Sequence, residues 1–476
     1  MNDLAEHVDP AGAPRPTHLL RIDAGGAADA ERSWDGPVSA LLEITTDPAR
    51  AAADRERADR DRLDLGSAGP LEAVDARLLT MGPERPPADL VIDRTGCVLI
   101  PGLVNAHTHL DLTAMGYREH DPADGFVPWV RMVIRERPRD RDAIAAAVRR
   151  GIELSLAGGV VAVGDISGVA GQTLCTTPFD ELVRSPLGGV TYLEWMSAPV
   201  PATRAELGRR FDALADTNES LRARGATARV GHSPHAPYTV RPADYAFDDR
   251  LPWCTHLAES PAEREFIAAG TGPFREMLDG FGCFDDAFAA SVGRGEHPFE
   301  AVADGLSIGS PLLVHMNDCP DRVLERMDGF SLAYCPRSSA YFGAPEAFGP
   351  HRYREMLDRG VNVCLGTDSI INQRTADRIS PLDDARMLYG RDRTDPRTLL
   401  AMLTVNGATA LGLPAAPYLF RTGGSIAGIA AVPIEGGSAD PAAAVFGASV
   451  AAELLLIRIG SRLAGIGGPG SGDTYD

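Results

Sequence analysis

From residue 102 onward, apolar runs of strand length alternate with stretches of helical periodicity. The runs are "GLVNAHTH" (102–109), "GGVVAVGDIS" (158–167), "GGVTYLEWM" (188–196), "ARVGHSPHA" (228–236), "LPWCTHLAE" (251–259), "PLLVHMND" (311–318), "FSLAYCPRSS" (330–339) and "VNVCLGTDS" (361–369). Between the first two lies "RDAIAAAVRRGIELSLAGG", where Ile144, Val148, Ile152 and Leu156 recur at the spacing of one helix face. Gly158 and Gly159 then supply the stop. "SPAEREFIAAG" and "HRYREMLDRG" read as helices in the same way. Eight strands alternating with helices predict an α/β chain folded as a (β/α)₈ barrel. Periodicity alone also admits a doubly wound open sheet.

Both ends of the chain have a different rhythm. "THLLRID", "VSALLEITT", "RLLTM" and "DLVIDRTGCVLI" are short β-like runs set between turn residues. After about residue 410, "SIAGIAAVPIEGG" and "VAAELLLIRIG" read as strands that return to complete this N-terminal β unit. The expected division is a terminal tail at 1–16, a β domain from 17–101 and 415–465, a barrel at 102–414 and a flexible tail at 466–476. The Arg/Asp-rich stretch near 47–66 is expected to be a solvated insertion.

Composition narrows the function classes. The 476 residues allow one very large domain or two unequal ones. A formal net charge of -20 disfavours nucleic acid and anionic membrane surfaces as partners. All 46 basic residues are arginine, so neither a Schiff-base lysine nor a carboxylated-lysine metal bridge is available. The seven cysteines are scattered and form no CxxC pair, which suits buried thiols in a reducing compartment. The N-terminus lacks an apolar signal core, and no apolar run reaches the roughly 18 residues of a membrane span. A cytoplasmic location is the expectation.

Unusual polar residues gather at the C-terminal ends of the predicted strands. His107 and His109 end the first run, His235 the fourth, His256 the fifth with Glu259 just beyond, His315 the sixth and Asp368 the eighth. In a barrel these ends converge on one face, where active sites sit. Each residue has an ordinary reading when taken singly. The HxH pair can be strand-end histidines, His256 a satisfied core residue, Glu259 a carboxylate at a helix N-terminus and Asp368 a turn residue. Taken in order, three imidazoles and a carboxylate make a site for a divalent transition metal with room for water. Such a metal makes water a nucleophile near neutral pH, with Glu259 and His315 left to handle protons.

"PGLVNAHTHL", "THLAES", "VHMND" and "LGTDS" together resemble the amidohydrolase superfamily, in its branch of mononuclear-metal deaminases and chlorohydrolases. The likeness runs from about residue 95 to 413. It implies a distorted (β/α)₈ barrel, a small β-sandwich built from both chain ends, and a small-molecule substrate. It also implies one zinc, or iron, held by His107, His109, His256 and Asp368. Glu259 would then give a proton to a substrate ring nitrogen, and His315 and Asp368 would orient and deprotonate water. "SPHAPYTV", "HLAESPAEREFIAAGTGPFREML" and "YCPRSSAYFG" are similar more narrowly to aminodeoxyfutalosine deaminases of the futalosine route to menaquinone. Guanine, S-adenosylhomocysteine and triazine hydrolases are the alternatives, with a barrel scaffold that has lost catalysis behind them. By the same resemblance His235 would touch the substrate, Trp129 would wall the pocket and Arg337 would meet a substrate carboxylate. A helix core residue and a surface salt bridge are the plain readings of the last two. By analogy with relatives, a homodimer is expected. The ending "GGSIAGIAAVPIEGGSADP" departs from the family pattern.

Overall fold

The computed structural model describes residues 15–46, 69–169, 174–198, 203–245, 250–434 and 440–459. The Arg/Asp-rich insertion and nearly all of both expected tails lie outside these residues. Eight parallel strands fall one in each of the apolar runs: β1 (Leu103–Thr108), β2 (Val160–Ser167), β3 (Gly188–Trp195), β4 (Ala228–Pro234), β5 (Cys254–Leu257), β6 (Leu312–His315), β7 (Ser331–Tyr334) and β8 (Asn362–Leu365). Their ladders make two four-stranded sheets, β1-β2-β3-β4 and β5-β6-β7-β8. The sheets meet at both seams through single bridges, Thr108 with Asp368 and His232 with Trp253. β2 and β3 are buried along their whole length, which explains why their sequences run apolar without alternation.

Helices return the chain between strands, and local chemistry sets their ends. In the helix Arg141–Ala157 the Asp140 carboxylate accepts from Ala143 N at the start. Ile144, Val148 and Ile152 are buried on one face, each contributing about 1.5–3 kcal/mol. The helix Pro261–Ala269 is capped by Ser260 and closed by Gly270 in the left-handed region (φ 69°).

The two chain ends build one eight-stranded sheet. Its path is Leu71–Ala73, Glu453–Arg458, Gly428–Pro433, Leu90–Pro101, Thr17–Ala28, Val38–Thr45 and Asp75–Gly82, with Ser33–Trp34 pairing to the side. The strands at the two extremes of that path, Leu71–Ala73 and Asp75–Gly82, are separated in sequence by Val74 alone. The sheet must therefore curl back on itself, and it closes around its own core of Leu20, Ile22, Leu42, Leu78, Ile429 and Leu456. The hand-over into β1 occurs at Gly102, where a Cβ would lie 2.4 Å from Val161 Cγ1.

No helix among the described residues is long and apolar enough to cross a membrane. The seven cysteines are all free, and all but Cys283 are buried.

Candidate active site

His107 and His109 occupy alternate positions at the end of β1, so their rings leave the backbone on the same side. Thr108, between them, points the other way and donates to the Asp368 carbonyl (3.2 Å). Beyond β8 the chain crosses close over β1, and Thr367 N and Asp368 N both donate to the His107 carbonyl (2.9 and 3.0 Å). Only glycine fits at 366, because a Cβ there would lie 2.7 Å from His107 Cβ. Asp368 takes a left-handed conformation (φ 56°), which costs an L-residue about 1–2 kcal/mol and turns its carboxylate inward. Ser338 Oγ (2.6 Å) and Asn372 Nδ2 (3.0 Å) donate to its Oδ2. Oδ1 is left facing His107 Nε2 (3.5 Å) and His109 Nε2 (3.3 Å).

His256, at the third position of β5, sits with Nδ1 3.0 Å from the His235 carbonyl. A carbonyl only accepts, so Nδ1 carries the proton and Nε2 presents its lone pair, 3.4 Å from His109 Nε2. His107, His109 and Asp368 offer ligand atoms that all lie within 4.8 Å of one another, as do His107, His256 and His315. His107 Nε2 is buried and makes no hydrogen bond. Burial holds His109 below the usual imidazole range and His256 well below it, with neighbouring imidazoles adding to the effect. Burial pulls the other way on Asp368, but the facing rings of His107, His109 and His315 hold it well below the carboxylate range. Neutral imidazoles around an ionised carboxylate are the donor set a divalent metal requires, so these residues fit one.

Glu259 and His315 border this set. Glu259 Oε1 lies 3.3 Å from His315 Nε2. Burial, with Asp368 and Glu263 adding to it, raises the Glu259 carboxyl well above its ordinary range. Burial lowers His315 to about 3. The His315 backbone is also left-handed (φ 73°). Its carbonyl accepts from His351 Nε2 (2.9 Å), whose Nδ1 in turn accepts from Tyr353 N. Among the described residues, six non-glycine positions have positive φ, and Ala258, His315, Met316 and Asp368 are four of them. Strain concentrated in this way marks a site where geometry is held against local preference.

The amidohydrolase family pattern matches residues 98–416, two thirds of the chain. The chain belongs to the amidohydrolase family. It is 30% identical over 343 residues to the aminodeoxyfutalosine deaminase of Deinococcus radiodurans, covering 69% of this chain and 77% of that one. A 5-methylthioadenosine/S-adenosylhomocysteine deaminase of Syntrophobacter fumaroxidans is 29% identical over 72% of this chain and 75% of its own. The crystal structure of an adenosine deaminase from Xanthomonas campestris with bound zinc superposes with a TM-score of 0.61 at 16% identity, over 94% of both chains, which is a likeness of fold. The protein is a hydrolytic enzyme, and its histidines and aspartate suit a divalent metal.

This amidohydrolase opens its site into a partly enclosed cavity. His235 and Trp129 line it, as do His109, His256, Glu259, His315 and Asp368. His235 is pinned by Thr239 Oγ1 (2.7 Å), and Trp129 stands edge-on to Phe342. Arg337 does not join them. Its guanidinium donates to Asp384 Oδ2 from Nε (2.9 Å) and Nη2 (2.7 Å), and also to the Ser380 carbonyl and Gln373. Asp384 is fully buried, so the pair is held as a structural one, and Arg337 is not among the residues that line the cavity. Arg337→Ala is expected to destabilise the fold by about 3–5 kcal/mol, since it leaves that carboxylate uncompensated. Denaturant melts should show this loss with KM unchanged; a raised KM at full stability would restore the substrate role.

Two cavity residues carry no signal in the sequence pattern. Arg137 lines the wall, paired to Asp111 Oδ2 at 2.6 Å. Glu194 at the end of β3 has a buried Oε1 without a hydrogen bond, 3.8 Å from His235 Nε2. Burial lifts Glu194 to about 7 despite the nearby His109 and Arg137. Glu194 follows the same strand-end rule as the histidines, so its position was readable, but one carboxylate at the end of "TYLEW" makes no motif. His232, by contrast, is a core histidine: its Nδ1 accepts from Trp195 Nε1 (3.2 Å) and its ring stacks on Phe211.

Proposed function

We propose that this amidohydrolase is a metal-dependent deaminase of 6-aminopurine nucleosides, with aminodeoxyfutalosine as the leading substrate. On this reading the two parallel sheets form one distorted (β/α)₈ barrel (102–414), and the curled sheet of both chain ends is a small β-sandwich (17–101 and 415–465). The observation that carries it is the contact of Glu259, its carboxyl pushed well above the ordinary range by burial, with His315 at the edge of the metal donor set, on one cavity. His107, His109, His256 and Asp368 would hold a single divalent ion, zinc or else iron. When bound, that ion supplies the Lewis acidity that brings the pKa of water to about 7.

The chain's own groups handle the protons. Glu259 gives its proton to the ring nitrogen beside C6 as water oxygen bonds to C6, so negative charge does not build on the ring. Asp368 takes one proton from the attacking water, with His315 orienting its oxygen, and passes it to the amino group. The C6–N bond breaks and ammonia leaves, while the C6 hydroxyl returns a proton to Glu259 as the carbonyl forms. Every proton is accounted for, and neither oxidant nor reductant is needed.

The cavity supports a nucleoside over a bare base. Beyond the catalytic groups much of its wall is apolar, with Leu112, Phe126, Val133, Met277 and Phe281 beside Trp129. An apolar or aryl 5′ substituent suits that wall. Methylthioadenosine or S-adenosylhomocysteine is the second reading, supported by a relative of nearly equal identity. Ammonia release compared across aminodeoxyfutalosine, 5′-methylthioadenosine, S-adenosylhomocysteine, adenosine and guanine tests the choice. The reading expects kcat/KM highest for aminodeoxyfutalosine and no turnover of guanine. Turnover of guanine alone would sink it.

A further inference from the structure

Glu263 lies four residues beyond Glu259, in the first turn of the helix Pro261–Ala269, and is fully buried. Both its oxygens are spent on backbone: Oε1 accepts from Ala258 N (2.9 Å) and Oε2 from Glu259 N (2.8 Å). Ala258 is left-handed (φ 52°), a conformation an alanine does not hold unaided. The two carbonyls of the same dipeptide are held from the loop after β6, Ala258 O by Asp318 N (3.1 Å) and Glu259 O by Asn317 Nδ2 (3.0 Å). Asn317 is itself fixed by Ser339 Oγ on its Oδ1 (2.6 Å). All four backbone polar groups of Ala258–Glu259 are thus clamped, and the clamp aims the Glu259 side chain at His315.

We propose that Glu263 is a positioning residue for the reaction, its carboxylate locking the left-handed turn that places the Glu259 carboxyl beside His315. The inference rests on the proposed role of Glu259 as proton donor. A carboxylate is needed because two successive N–H groups face one side chain, and only a group with two acceptor oxygens satisfies both. Glutamine keeps the size and one acceptor but turns an NH₂ toward an N–H. A purely structural buried acid would trade for glutamine with a loss of stability and no particular effect on kcat.

The test is Glu263→Gln in the full-length, metal-loaded protein, read by crystal structure and kinetics. The expected structure shows the Ala258–Glu259 peptide turned and Glu259 Oε1 withdrawn from His315 Nε2. Expected kinetics, on whichever adenine nucleoside is turned over fastest, are a kcat lowered about 10–100-fold with KM within twofold and metal content unchanged. An unmoved turn with the Glu259–His315 contact intact overturns the proposal, as does wild-type kcat. Should Glu263→Gln fail to fold, Glu263→Asp, whose carboxylate is one methylene too short to reach both N–H groups, is read in the same two ways: a turned peptide with lowered kcat supports the clamp, and an unmoved turn or wild-type kcat overturns it. Glu259→Gln run alongside separates the two claims: if it keeps the wild-type rate, the donor role of Glu259 fails, while the structural readout still judges the clamp.

Discussion

Glu259→Gln is expected to lower kcat by about 10²–10⁴-fold, the range for loss of a positioned acid–base group, while metal content and fold stay intact. The physical reason lies in what the substitution leaves unchanged. Burial pushes the Glu259 carboxyl well above its ordinary range, toward the neutral acid that a glutamine matches in shape and volume. The amide still donates a hydrogen bond toward the cavity but cannot give up its proton and take one back. Substrate should bind with a KM close to that of the unmodified enzyme, and the defect should sit in kcat. Steady-state kinetics with metal analysis of the same preparation checks this. A variant that kept near-normal turnover would show that Glu259 had been given the wrong role.

Stripping the metal should have an effect at least as large. His107, His109, His256 and Asp368 converge with buried, mutually facing donor atoms, and among the described residues only imidazoles pair with the Asp368 carboxylate as ionic partners. A chelator-treated sample should lose turnover and melt at a lower temperature. Zinc or iron returned at about 1,000 times its dissociation constant should restore activity and add about 4 kcal/mol of stability. Thermal melts and activity measured on one titration series follow both together. Full activity in protein shown to hold no metal would remove the metal from the mechanism.

How much could be read without coordinates varied along the chain. The eight parallel strands were legible because buried parallel strands are apolar throughout and helices interrupt them with Ser, Asp and Gly caps. The candidate metal ligands were legible because each ends a strand, and strand ends share one face. The short strands Leu71–Ala73 and Ser33–Trp34 were not, since two or three residues carry no period. Arg337 misleads for a related reason. "CPRSS" says that an arginine is near the site but not which way it points, and the acid that claims it, Asp384, is 47 residues away. Arg137 reaches the cavity through tertiary placement, and Glu194, at a strand end like the histidines, stands in no motif. The left-handed backbone at Ala258, His315 and Asp368 is imposed by neighbouring strands and side chains, so no local propensity foretells it.

Product analysis in ¹⁸O-labelled water tests the central claim most directly. The metal-loaded enzyme is given aminodeoxyfutalosine, and the product is read by mass spectrometry beside an ammonia assay. Hydrolytic deamination predicts one ammonia and one solvent oxygen at C6 for each turnover, and no product from the metal-free protein. Recovery of unchanged aminodeoxyfutalosine would remove it as the substrate, and ammonia released without label at C6 would contradict hydrolytic deamination.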